Sequence, residues 1–184
     1  MKDKTFKTKF KRRQQGKTNY KKRLALIRSE KVKIVVRKTN TKISAQAIKY
    51  NPKGDETLAS ATSKELDKMG FYGTNNTPSA YLTGLLLGMR MKDKEAVLDI
   101  GRRSPSHGSA MFACLKGLLD AGISIPHSKE ALPSEERING SVLEKYAKEN
   151  SEKFKNYEKK GMKVDEITKA FEKTKTEIKK VKAE

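Results

Sequence analysis

The sequence has few of the residues that cross-link a chain or bind metals. Its one cysteine, Cys114, cannot form an intramolecular disulfide, and such sparing use of cysteine suits a reducing compartment. There is no tryptophan, and the only histidines are His107 and His127. A structural metal site needs more imidazole or thiolate ligands than these. We therefore expect no metal and no cofactor.

Long apolar runs are also missing. The best candidate, residues 82–91, is too short for a bilayer span and is interrupted by Gly84, Gly88 and Arg90. The N-terminal sequence MKDKTFKTKFKRR has no apolar segment of the kind that secretory signals contain. The sequence therefore predicts a cytoplasmic protein without a membrane segment.

Positive charge is what the sequence has in excess, and it is concentrated at one end. The formal net charge is +20 over 184 residues. Residues 1–42 hold 17 Lys and Arg against Asp3 and Glu30, whereas residues 43–128 hold 10 against 8 acids and residues 129–184 hold 15 against 12. A basic block beside a nearly neutral body is typical of nucleic-acid binding. An anionic membrane would attract the same charge, but the block shows no sustained apolar face for insertion.

The basic block centres on residues 11–23, KRRQQGKTNYKKR, which contain seven Lys or Arg and no acid. A segment this charged cannot bury enough apolar surface to order itself, so we predict that residues 1–23 form an irregular arm that orders on a polyanion. Phe6, Phe10 and Tyr20 are spaced among the charges, where aromatic rings can stack on bases.

The sequence pattern after the arm predicts a globular body of the α+β class over residues 24–132. A short helix over residues 21–28 is expected to turn Leu24 and Ile27 towards that body. Strand patterns follow at residues 32–37, 43–50 and 56–62, and the short turns between them predict an antiparallel meander.

A helix–strand–helix unit completes the predicted body. Residues 63–69 predict a short helix capped by Ser63, and a long helix opens at Thr77–Pro78. Its Gly84 and Gly88 are expected to allow close packing on the sheet. A buried strand over residues 95–101, parallel to a neighbour, leads to a helix over 109–121 that Gly122 ends. The result is a mixed sheet with helices packed on it.

The last third of the chain predicts a helical extension over residues 133–184. Residues 134–146 and 164–181 have helical patterns with few apolar positions. Such helices bury only a thin stripe, either on the edge of the body or on a partner.

Three patterns could indicate catalysis, and each has a plainer explanation. Gly16-Lys17-Thr18 is similar to the end of a phosphate-binding loop, but Lys11 stands where that loop needs a glycine. Cys114 lies on an apolar helix, which favours a buried thiol, and no third group orients a cysteine–histidine pair. Asp93, Glu95 and Asp99 could be nuclease carboxylates, but a solvated or ion-paired strand face explains them better.

Five motifs in a fixed order now point to a known family. They are GKTNY at residues 16–20 followed by Arg23 and Leu24, RKTN at 37–40, SAYLTGLLL at 79–87, VLDIG at 97–101, and KG at 116–117 followed by DAGISIPHS at 120–128. Together they closely resemble large-subunit ribosomal protein eighteen in its archaeal form, whose eukaryotic counterpart is ribosomal protein five. A looser match continues through ERING at residues 136–140 and the C-terminal helices.

The resemblance implies a non-enzymatic ribosomal component that binds 5S ribosomal RNA. It implies a place in the central protuberance, near 23S ribosomal RNA and the universal ribosomal protein five. It also implies RNA contacts from the basic arm and the first turn of the body. We expect those contacts at Lys11, Arg12, Arg13, Lys17, Thr18, Asn19, Tyr20, Arg23, Arg28, Arg37, Lys38, Thr39, Asn40 and Lys42. The loop at Arg102 and Arg103 is more basic than the family pattern leads us to expect and adds a candidate contact.

Two alternatives remain open on the sequence. A free RNA-binding assembly factor would have the same basic arm, but it would be missing from mature large subunits. An RNA-processing enzyme would need a convergent catalytic set, and the sequence supplies none.

Overall fold

The computed structural model describes residues 7–154, 157 and 166–180. Its strands are β1 (Val32–Lys38), β2 (Ile43–Lys49), β3 (Glu56–Thr62) and β4 (Ala96–Asp99). They form one sheet in the order β3-β2-β1-β4. β1 pairs antiparallel with β2 and parallel with β4, and β2 pairs antiparallel with β3. The predicted α+β class and mixed sheet are confirmed.

The two faces of the sheet differ because successive side chains of a strand point to opposite sides. On β1, Ile34 and Val36 are fully buried in the core beneath the helices. The register pairs them with Ala47 and Ala45 of β2, which are buried on the same side. The opposite, outer face carries Lys33, Val35 and Arg37 of β1. The charged side chains of β1 therefore lie on this outer face of the sheet.

Seven α-helices are described. They are α1 (Lys11–Gln14), α2 (Tyr20–Arg28), α3 (Thr77–Arg90), α4 (Ala110–Asp120), α5 (Glu135–Asn139), α6 (Ser141–Glu149) and α7 (Ile167–Lys180). Short 3-10 helices lie at Ser63–Met69, Lys129–Ala131 and Ser151–Phe154. As predicted, Pro78 lies in the first turn of α3, and Gly122, at a φ of 92°, follows the end of α4.

Helices α3 and α4 cover the inner face of the sheet and pack closely on each other. A Cβ added to Gly84 would collide with the backbone of Cys114, and one added to Gly117 would collide with the carbonyl of Tyr81. The expectation that the α3 glycines pack on the sheet is wrong about their partner. Gly84 faces α4 and Gly88 faces its C-terminal end, because α4 lies beside α3 on the same face of the sheet.

The 3-10 helix at Ser63–Met69 is capped by Thr62, not by Ser63. Thr62 and Glu65 form a capping box, in which Glu65 accepts the backbone N–H of Thr62 at 2.8 Å. Ser63 is buried instead, and its hydroxyl accepts the backbone N–H of Ile43 at 3.1 Å. The prediction failed because two adjacent hydroxyl residues could both serve as a cap.

The C-terminal helices pack on the body. Ile167 and Ile178 of α7 are fully buried, and the ring of Phe171 lies 5.5 Å from that of Tyr81 on α3. The predicted helix over residues 134–146 is interrupted at Gly140, whose φ of 91° ends α5 and starts α6. Residues 164, 165 and 181 of the second predicted helix lie outside the described residues.

Within residues 7–154, 157 and 166–180, none of the helices combines the length and apolar character that crossing a membrane requires.

Candidate nucleic-acid interface

The basic arm lies on the outer face of the sheet. A cavity of about 210 Å³ separates them, lined by arm residues such as Lys17 and Lys22 and by Val35 and Ile48 of the sheet. The prediction of an irregular arm is wrong for its described part, since α1 and the start of α2 are helical within residues 11–23. Residues 1–6 lie outside the described residues.

Helix α2 begins where a side chain caps it. The carboxamide oxygen of Asn19 accepts the backbone N–H of Lys22 at 3.2 Å, so the helix starts at Tyr20. Leu24 was expected to face the body, but it is 50% exposed. Leu26 lines the cavity in its place, because residues two positions apart lie about 200° apart around a helix.

A buried lysine ties the arm to the sheet. Lys33 is only 4% exposed, and its ammonium lies 3.3 Å from the Asp55 carboxylate in the turn between β2 and β3. Arg23 of α2 reaches the same carboxylate at 3.3 Å. Because buried charges need partners, Asp55 compensates Lys33 and anchors α2 at once.

Arg37 joins β1 to the end of β4. Its guanidinium donates to the carbonyl of Asp99 at 2.8 Å and lies 3.3 Å from the Asp99 carboxylate. That carboxylate also accepts the backbone N–H of Gly101 at 2.6 Å. Arg37 therefore helps to position the loop that carries Arg102 and Arg103.

The turn between β1 and β2 is held from two sides. Arg103 donates to the carbonyl of Lys38 at 2.8 Å. The side-chain amide of Asn75 donates to the carbonyls of Thr39 and Asn40 at 3.0 Å and 2.7 Å. The backbone of this predicted contact site is thus fixed, and it carries the half-buried Lys38 and the exposed Lys42.

The acids near β4 do not converge on one point. Glu95 pairs with Lys31 at 2.8 Å, and this hydrogen-bonded ion pair lowers the pKa of Glu95. Asp99, at the opposite end of β4, pairs with Arg37 of β1. Glu95 and Asp99 therefore each have their own cation, as expected for an ion-paired strand face.

The remaining reactive side chains are engaged in structure. Cys114 is fully buried, and burial raises the pKa of its thiol to about 12, so it does not ionise near neutral pH. His107 and His127 each place Nδ1 against a backbone carbonyl, of Glu130 and Ile125. In the part of the chain that the structure describes, no three His, Cys, Asp or Glu side chains gather as metal ligands would.

Comparison with known proteins gives the family. A family model described as "Ribosomal large subunit proteins 60S L5, and 50S L18" matches residues 4–96. The chain is also similar to the "Large ribosomal subunit protein uL18" of Korarchaeum cryptofilum (strain OPF8), with 48% identity over 177 residues and 91% of each chain covered. The chain belongs to this family of large-subunit ribosomal proteins.

Membership of the L5/L18 family agrees with the finding that no catalytic groups converge among the residues that the structure describes. The protein is a structural component of the large ribosomal subunit and not an enzyme. Ribosomal RNA and other ribosomal proteins are therefore its partners. Membership of the family therefore argues against the alternative of an RNA-processing enzyme.

The structure divides the predicted contact residues of this L5/L18 member into two groups. Six exposed cations make neither an ion pair nor a side-chain hydrogen bond with another described residue: Lys11, Arg13, Lys17, Arg28, Lys42 and Arg102. Others hold the surface together. Arg12 donates to Thr18 at 2.9 Å, Asn19 caps α2, and Arg23, Arg37 and Arg103 make the contacts given above.

The loop at Arg102 meets the arm in space. Gly16 has a φ of 67°, a backbone conformation that favours glycine, and the Arg102 guanidinium lies directly against it. Gly16-Lys17-Thr18 is thus a turn next to a cation and not a phosphate-binding loop. Sequence reasoning missed this contact, and it also missed Lys9 and Lys21, which gather with Arg102 around one cavity. The only sequence feature that pointed to Lys9 and Lys21 was their place in the basic N-terminal block.

Proposed function

We propose that this large-subunit protein binds 5S ribosomal RNA and helps to attach it to 23S ribosomal RNA in the central protuberance, beside the universal ribosomal protein five. One observation carries the proposal. Cations from three separate parts of the chain converge on the outer face of the sheet: they are Arg12, Lys17, Lys22, Arg23, Lys33, Arg37 and Arg102. Of the described residues that line that cavity, only Asp55 and Asp99 carry the opposite charge.

Affinity for RNA arises on this surface from phosphate neutralisation. Lysine and arginine side chains displace the counterions condensed on the RNA, and this release makes binding strongly salt-dependent. The exposed cations without partners, such as Lys11, Lys17 and Lys42, make the phosphate contacts. Arg23 and Arg37 mainly hold the arm and the loop in position, since both are engaged with carboxylates.

Specificity comes from the shape of the folded RNA. The deep groove of A-form RNA is too narrow for side chains to read, so the protein recognises phosphates, 2′-hydroxyls and unpaired bases. A cationic surface that is already folded suits this mode, because fewer residues have to be ordered when the RNA binds.

Chemical footprinting on purified 5S ribosomal RNA tests the proposal. The full-length protein should protect a discrete set of 5S nucleotides at physiological salt and should bind an unrelated structured RNA of equal length much more weakly. Equal affinity for both RNAs across a salt series would contradict the assignment to 5S RNA. Cosedimentation with large subunits in high salt provides a second readout, since a free assembly factor would wash off.

A further inference from the structure

A second cavity lies within the arm itself, apart from the cavity beneath it. Its volume is about 480 Å³, and it opens between α1 and the start of α2. We call it the arm cavity. Four of its lining residues are cations: Lys9, Arg13, Lys21 and Arg102. Among the described residues, none that lines it is acidic. Its size falls within the range of about 300–1,000 Å³ that is typical of small-ligand sites.

The charge around the arm cavity is uncompensated within the described part of the chain. Lys9, Arg13, Lys21 and Arg102 are all exposed, and none of them forms an ion pair with another described residue. Like charges around one cavity repel each other unless an anion lies between them. The arrangement therefore favours a ligand that carries a phosphate.

An aromatic pair stands beside these cations. The ring of Tyr20, which lines the arm cavity, lies 5.2 Å from the ring of Phe10 at a tilt of 50°. Phe10 is 72% exposed, more than any other large apolar side chain among the described residues. Its carbonyl accepts the backbone N–H groups of Arg13 and Gln14 at 2.8 Å and 3.0 Å, so the first turn of α1 fixes its position.

Packing within the protein does not explain this exposed ring. An aromatic ring beside a cluster of cations is the usual combination in sites for single-stranded nucleic acid, where bases stack on the ring and phosphates meet the cations. A base inside a double helix is already stacked and paired, so only an unpaired base can reach such a ring.

We propose that the arm cavity receives one unpaired nucleotide of the bound RNA. Its phosphate lies among Lys9, Arg13, Lys21 and Arg102, and its base stacks on the Phe10–Tyr20 pair. The inference rests on the proposed function for the identity of the ligand as RNA. It goes further by predicting that the arm grips a bulge or loop and not a continuous helix.

The test compares two RNA hairpins with the same stem. One is fully paired, and the other carries a single bulged 2-aminopurine, a fluorescent base whose emission falls when it stacks. The full-length protein should bind the bulged hairpin roughly tenfold more tightly, in line with stacking contributions per base. It should also quench the fluorescence of the bulged base.

Variants at Phe10 separate stacking from charge and from apolar burial. Phe10→Ala and Phe10→Leu should lose most of the preference for the bulge, and Phe10→Tyr should keep it. All three leave every cation in place, so the affinity for the paired hairpin and its salt dependence should not change. Circular dichroism confirms that each variant folds. Equal wild-type affinity for both hairpins, or a preference that survives in Phe10→Ala combined with Tyr20→Ala, would overturn the inference.

Binding of 5S ribosomal RNA, measured on the same preparations, keeps this inference distinct from the proposed function. Specific 5S binding without a preference for the bulge removes the arm-cavity inference alone. A preference for the bulge without specific 5S binding supports the arm-cavity inference and removes the assignment to 5S RNA.

Discussion

Arg37 and Asp99 are bonded across two parallel strands, at the point where the proposed RNA-binding surface begins. The guanidinium of Arg37 contacts both the carbonyl and the carboxylate of Asp99, at 2.8 Å and 3.3 Å. Asp99 in turn accepts the backbone N–H of Gly101 at 2.6 Å. A residue that the charge pattern marks as a phosphate contact is thus also part of the fold.

Substitutions at residues 37 and 38 should therefore have different effects. Arg37→Gln removes two contacts to Asp99 and should lower the free energy of unfolding by about 1–2 kcal/mol. Hydrogen bonds to charged groups contribute about 1.5–3 kcal/mol, and solvent screens the half-exposed Arg37. Lys38→Gln should leave stability unchanged within about 0.5 kcal/mol. It should reduce the slope of log K against log salt for RNA binding by about one. Urea denaturation and filter binding measure the two effects, and equal destabilisation by both substitutions would contradict this division of roles.

Arg90 and Glu65 cover the free edge of β3. Arg90 donates to the carbonyl of Ser60 at 2.6 Å, and Glu65 accepts the N–H of Thr62 at 2.8 Å, while the two side chains pair at 2.7 Å. Strand β3 has no lysine or proline to discourage pairing with another chain. We expect Arg90→Ala to expose this edge and to cause self-association at high protein concentration.

Sedimentation velocity over a concentration series tests the edge prediction. Lys92→Ala serves as the control, because it removes one exposed charge just after the same helix. Wild type and the control should sediment as monomers, and Arg90→Ala should form larger species. A monomeric Arg90→Ala at every concentration would show that the edge is protected in another way.

The same pair should make stability depend on pH. Partial burial of Glu65 acts to raise its pKa, but hydrogen bonds from Arg90 and from the Thr62 backbone, together with the Arg90 charge, lower it below the ordinary value of 4.5. Because the folded-state pKa is the lower one, the stabilisation is complete above about pH 4.5 and is lost as the pH falls through the folded-state pKa. Urea denaturation at pH 6 and pH 3 should show that the stability advantage of wild type over Glu65→Gln is larger at pH 6 than at pH 3. A difference in stability that is the same at both pH values would show that Glu65 does not contribute to acid unfolding.

The contact between α3 and α4 should not accept a methyl group. Gly84→Ala brings a Cβ into the backbone of Cys114 and should destabilise the protein by about 1–3 kcal/mol. Helix propensity alone predicts the opposite sign, since alanine favours a helix by about 1 kcal/mol over glycine. Thermal denaturation decides between the two, and a stabilised Gly84→Ala would mean that the helices can move apart without cost.

The fold could be predicted largely from the sequence because its signals are local. Alternation in residues 43–50, Pro78 at the start of α3 and Gly122 after α4 each act within a few residues of their position. The wrong predictions concern choices that local sequence does not decide. Either Thr62 or Ser63 could cap the 3-10 helix, and the spacing of the α3 glycines does not show which element packs against them.

The candidate site was less predictable, because its organisation depends on long-range contacts. The basic block marked the cations of the arm, but nothing in it shows that Asp55 anchors Arg23 and Lys33. Nor does it show that Arg102 packs against Gly16. Composition therefore located the charge, and only the fold separates exposed cations from those that hold the surface together.

The salt dependence of 5S RNA binding tests the central claim most directly. Replacement of Lys11, Lys17 and Lys22 by glutamine removes three exposed arm cations that make no ion pair with a described residue. Replacement of Lys169, Lys173 and Lys180 removes the same charge from α7, which packs on α3 away from the outer face. With each lost phosphate contact worth about 0.7–0.9 in the slope of log K against log salt, the arm variant should lose about 2–3 and the α7 variant almost nothing. Equal slopes for the two variants would contradict an RNA-binding role centred on the arm.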